Sequence, residues 1–101
     1  MISWFKKKNL PHPQPCNLYA ITTGTYVGEM IVLIKEDQEN FYFLSIPKNF
    51  NRVIPKEKVE FGFKNGIIEF VKKIPKKVNE LITAQFKKNE NSHDRRQQPN
   101  P

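Results

Sequence analysis

The chain has 101 residues, 38% hydrophobic and 12% aromatic, and its 17 Lys and Arg against 10 Asp and Glu give a net charge of +7. That length holds one ordinary domain and excludes a multidomain enzyme. The single cysteine, Cys16, excludes an intrachain disulfide framework. The longest apolar run, Met30 to Ile34, is far short of the about 20 residues of a membrane-spanning helix.

Residues 1–16 read as a flexible, basic and proline-rich arm. Lys6, Lys7 and Lys8 follow Ile2, Trp4 and Phe5, and Pro11, Pro13 and Pro15 alternate with His12 and Gln14. Each proline fixes its own φ and pushes the residue before it to extended geometry, so the stretch reads as a stiff linker. Trp4 and Phe5 are the expected partner-binding residues, since a Trp on such a segment is a good interface anchor. The apolar residues here precede the lysines, the reverse of a secretory signal. Lysine outnumbers arginine fourteen to three and there are ten Asn. That bias is usual in AT-rich bacterial and phage genomes. The expected setting is therefore the cytoplasm, or the virion of a phage.

From Leu18 the composition turns to strand formers. Residues 18–23 read as a strand, Gly24 interrupts, and Tyr26 to Ile34 reads as a second strand with Gly28 at a bulge. Lys35 to Asn40 is an all-polar turn, and Phe41 to Ile46 closes a hairpin. A loop with a short extended piece at Arg52 to Ile54 ends at Pro55. Lys58 to Lys64 alternates, with Val59, Phe61 and Phe63 on one face, and Asn65-Gly66 follows it. The alternation and the Asn-Gly pair predict a tight hairpin with Phe63 opposite Ile68, Phe61 opposite Phe70 and Lys58 opposite Lys73. Lys72 would then lie beside Val59.

Pro75 suits the first turn of a helix, and Val78, Leu81, Ile82 and Phe86 recur at helical spacing. The pattern predicts an amphipathic helix over 75–88 and a disordered polar tail over 89–101. The domain is then residues 17–88. The expected fold is mainly β (α+β): a small, strongly bent antiparallel sheet or SH3-like barrel of about five strands, with one C-terminal amphipathic helix.

Catalytic chemistry finds little support. His12 and His93 sit in the arm and the tail, where no rigid element would hold a general base. Cys16 and His12 are too few for a zinc site, and Glu36, Asp37 and Glu39 lack the spacing of a calcium loop. No enzyme activity, cofactor or metal is expected.

Charge is more telling. Residues 17–46 carry Lys35 against Glu29, Glu36, Asp37 and Glu39, whereas residues 47–77 carry nine of the cations. In the expected hairpin Lys58 opposes Lys73, and Lys76 and Lys77 start a helix whose positive dipole end disfavours cations. Local rules broken in one place mark a candidate for function. The expected anion-binding residues are Lys56, Lys58, Lys72, Lys73, Lys76, Lys77 and Arg52. Tyr26, Tyr42 and Phe50 are the aromatics placed to stack on bases. The expected function is a non-enzymatic binding module with a basic face for nucleic acid or an acidic protein. The alternative is a structural or adaptor protein, phage or bacterial, that acts through protein contacts of its arm and tails.

Overall fold

The computed structural model describes residues 12–97, with side chains described as far as Asn91. Five strands form one antiparallel sheet: β1 (Asn17–Ile21), β2 (Met30–Glu36), β3 (Asn40–Ser45), β4 (Phe50–Pro55) and β5 (Ile68–Lys73). Two helices complete the chain, α1 (Lys56–Lys64) between β4 and β5 and α2 (Lys76–Gln97) after β5. The strand order β4-β3-β2-β1-β5 leaves β4 and β5 as open edges, so the sheet does not close into a barrel.

The β2–β3 hairpin forms where the polar turn predicts it. The Asp37 carboxylate accepts the backbone N–H of Glu39 and Asn40 at 2.9 and 2.8 Å and the Tyr42 hydroxyl at 2.6 Å. These bonds hold the Asp37 carboxyl below its ordinary range, the Tyr42 hydroxyl contributing most, and push the Tyr42 phenol up. β2 begins at Met30 rather than Tyr26, because residues 22–29 fold back as a loop. Gly24 and Gly28, at φ +92° and +93°, make its two left-handed corners.

The second hairpin does not form. Residues 58–64 are helical, and β5 pairs with β1, placing Lys73 opposite Asn17 and Lys72 opposite Leu18. The opposition of Lys58 and Lys73 and the contact of Lys72 with Val59 are therefore absent. Asn65-Gly66 serves a different end. The Gly66 N–H donates to the Phe63 carbonyl at 3.3 Å and the Ile67 N–H to the Gly62 carbonyl at 2.7 Å. With Gly66 at φ +72°, this is the Schellman stop of a helix. One left-handed glycine suits either a tight hairpin or a helix end, and the segment before it decides. Lys56, Glu57, Glu60 and Lys64 are good helix formers, with the acid in the first turn and a lysine in the last.

Side chains alternate between the two faces. Tyr19, Ile21, Ile31, Leu33, Phe41, Phe43 and Ile68 form the main core with Val59 of α1. On the other face Val32 and Leu44 are buried, as is Phe86 of α2, which lies beside β4 and β2 through bonds described below. α1 turns Val59 and Gly62 inward, positions three apart, and leaves Phe61 outside, 60% exposed. α2 likewise buries Phe86 and half-buries Asn79, Ile82 and Thr83, leaving Leu81 71% exposed, outside the apolar stripe the spacing predicts. This helix continues to Gln97, nine residues beyond the expected end at 88. Ordered packing also starts earlier than expected: Pro13 is buried, and the His12 ring stands edge-on to Phe41 at 5.0 Å. Among the described residues no helix is long and apolar enough to cross a membrane.

Candidate binding surfaces

The fold divides the basic residues into two groups. β4 and β5 lie at opposite edges, four strand spacings or roughly 19 Å apart. Arg52 and Lys56 belong to the β4 side, and Lys58 follows in the first turn of α1. Lys72, Lys73, Lys76 and Lys77 stay together at the β5–α2 junction. The acidic β2–β3 turn adjoins the first group: Glu36 lies 3.8 Å from Lys56 and 3.3 Å from His12.

Apart from Lys58, which has no described carboxylate partner, the two groups differ in their partners. Lys35, Lys48, Arg52 and Lys56 each have a carboxylate within 4.0 Å, at 3.4, 3.9, 2.6 and 3.8 Å. Lys72, Lys73, Lys76 and Lys77 are all exposed, and no described carboxylate pairs with any of them. α2 has no acidic residue in its first turn, so Lys76 and Lys77 do stand against the helix dipole. Of the two broken local rules, this one is present in the fold.

Arg52 does something the sequence did not suggest. Its guanidinium donates two hydrogen bonds to the Glu29 carboxylate, at 3.1 and 2.6 Å, and Glu29 is only 3% exposed. The Arg52 bond is the main reason the Glu29 carboxyl sits below its ordinary range, against the opposing effect of burial. The guanidinium also lies 4.0 Å from the Tyr26 ring centre and 4.7 Å from that of Phe50. The pair thus fastens the 22–29 loop onto β4, and Arg52 is committed to Glu29. Tyr26 and Phe50 meet around it, while Tyr42 is on the other face, half-buried and bonded to Asp37. Nothing in the spacing of Glu29 and Arg52 announces their contact, because it depends on β2 and β4 lying on either side of β3.

A second missed feature is the outer side of α1, where exposed Phe61 lies one turn from both Lys58 and Lys64. A helical reading of 56–64 would have found it. Trp4 and Phe5 lie outside the described residues. Among the described residues no group of three or more His, Cys, Asp or Glu side chains gathers where a metal ion could be held. Lys35 and Asn51 secure α2 on its face of the sheet, through Glu90 at 3.4 Å and the Phe86 carbonyl at 3.0 Å. Compared with protein-family models, curated proteins and solved structures, the chain matches none of them.

Proposed function

We propose that this chain is a non-enzymatic binding module that takes a polyanion, nucleic acid first, on the ridge formed by Lys72, Lys73, Lys76 and Lys77. The observation that carries this reading is the run of four exposed lysines without a described acidic partner, two of them set against the helix dipole; Lys58, Lys64, Lys87 and Lys88 also lack a described partner but form no such run. Keeping cations beside one another, two of them at a helix N-terminus, has a cost that a phosphate backbone would offset. Lys64, at the end of α1 that leads to β5, would widen the basic surface, with Phe61 one turn before it offering a ring for stacking. Lys56 and Arg52 contribute less, because each already has a carboxylate.

The test is fluorescence anisotropy with labelled single-stranded RNA, single-stranded DNA and duplex DNA, at low and physiological salt. Binding is expected to weaken steeply with salt. Replacing Lys72, Lys73 and Lys77 together with Gln is expected to lower the slope of log K against log[salt] by about 2 to 3. No binding at low salt overturns the reading.

An acidic protein partner is the second reading, and exposed Leu81 next to half-exposed Val78 favours it. A protein would cover these residues, whereas a phosphate backbone has no use for them. Leu81→Gln is then expected to weaken protein capture and to leave nucleic-acid binding unchanged.

A further inference from the structure

We infer that the outer edge of β4 joins two copies of this chain by antiparallel strand pairing, giving a dimer with one continuous sheet. The sheet has two open edges, and they differ. β5 carries the usual guards of an edge strand: Lys72 and Lys73, a bulge where its register against β1 shifts between Leu18 and Tyr19, and Pro75 two residues beyond its end. β4 carries none of the first two. Its register against β3 is unbroken from Asn40↔Pro55 to Ser45↔Phe50. Its one charged residue, Arg52, is turned to the buried Glu29.

The direction of the backbone groups follows from the ladder. The Lys56 N–H donates to the Glu39 carbonyl at 2.9 Å, which makes Asn40↔Pro55 a pair without mutual hydrogen bonds. By alternation Ile54, Arg52 and Phe50 bond to β3, while Pro55, Val53 and Asn51 turn their backbone groups away from it. Proline therefore falls where its missing N–H loses nothing. The outward N–H groups of Asn51 and Val53 have no acceptor among the described residues.

A two-fold axis at Arg52 uses all of these groups. It sets Asn51 opposite Val53 of the second copy and Val53 opposite its Asn51, so four N–H···O bonds form. It also sets Phe50, 49% exposed, opposite half-buried Ile54 of the second copy, on one face. The two Arg52 side chains face each other across the axis, each held by its own Glu29. The occupant of this edge is a second copy because the strand complements itself in bonds and in apolar pairs. Shifting the register by one residue on each strand would set Asn51 opposite Pro55, which has no N–H to give to the Asn51 carbonyl.

The contact is short, so the dimer is weak, in the range of about 10 µM to 1 mM. Sedimentation equilibrium across that range, with amide exchange by NMR at both ends of it, tests the inference. The wild type is expected to dimerise, and the Asn51 and Val53 amides to gain protection with concentration, while those of Phe50, Arg52 and Ile54 are protected throughout. Val53→Pro removes two symmetry-related bonds and is expected to weaken the dimer about thirtyfold. Val53→Lys keeps the N–H but guards the edge with a charge, and is expected to weaken it as well. Circular dichroism establishes that each variant folds, and should Val53→Pro not fold, Val53→Lys and the wild-type amides decide. A monomer throughout the range, a dimer indifferent to both variants, or protection gained on β5 in place of β4 overturns the inference.

Discussion

Arg52 shows how a single side chain can take a structural duty that its charge alone does not disclose. The guanidinium neutralises a carboxylate that burial would otherwise destabilise, and two aromatic rings cover it. Breaking such a pair leaves a buried group uncompensated, so Glu29→Gln is expected to destabilise the fold at pH 7 by about 2 kcal/mol. The pH dependence has a definite sign. Glu29 has a lowered carboxyl in the folded chain, so its contribution is complete above the ordinary glutamate range. It is lost as pH falls through that range, near pH 4, and below it. Urea midpoints of the wild type and Glu29→Gln are therefore expected to differ at pH 7 and to converge toward pH 3. An unchanged difference would show that Arg52 does not depend on the charge of Glu29. Sequence could place Arg52 in one extended segment and Glu29 in another, but not the two together. Their contact is a product of strand order.

At the scale of elements, α1 shows where reading by pattern fails. Val59, Phe61 and Phe63 alternate as in a strand, yet the helix uses Val59 and Gly62 as its inner side. Gly62 matters because a Cβ there would lie 2.8 Å from Ile68 Cδ1 and 2.9 Å from its Cγ1. Gly62→Ala improves helix propensity by nearly 1 kcal/mol but forces Ile68, a core residue, out of place. The net expectation is a loss of about 1 kcal/mol by thermal or urea unfolding. Gly62→Ala combined with Ile68→Val, which trims the crowded side chain, is expected to cost less than the two single changes added together. Additive costs would show that α1 does not press on β5 at this point. The β2–β3 hairpin and the C-terminal helix were legible in the sequence because each rests on local signals, a polar turn and a helical apolar spacing. The partner of β5 was not, since two different strands offered it comparable apolar faces and Asn65-Gly66 suited both outcomes. Reading 58–64 as a strand also removed the helix that covers the main core, which left the C-terminal helix as the only expected cover for a bent sheet or barrel.

For the whole molecule, the division of charge and of edges gives the two ends of the sheet different characters. The β5 side is basic, bulged and guarded against strand addition, whereas the β4 side is regular and its arginine is internally balanced. Of the basic cluster expected from sequence, the fold keeps the four lysines that are neighbours in the chain and separates off the three that were linked to them by the absent hairpin. The polyanion-binding and pairing surfaces would thus lie on opposite edges, and neither blocks the other. The lysine substitutions at positions 72, 73 and 77 are accordingly expected to leave the sedimentation behaviour unchanged, and Val53→Lys to leave the affinity of a monomer for nucleic acid unchanged.

The chain leaves β4 at one edge, crosses the core in α1 and returns to the sheet at the far edge, beside β1. Strands β1 to β4 each pair with the next in sequence, so they can assemble by successive short loop closures. β5 must instead find a strand that left the ribosome some fifty residues earlier, the separation of Ile21 from its partner Ile68 being 47 residues. Ile68→Val is thus expected to speed unfolding in stopped-flow experiments with little change in the folding rate, and Val32→Ala in β2 to slow folding. The strand that bears Lys72 and Lys73 would be the last to arrive at the sheet and the first to leave it.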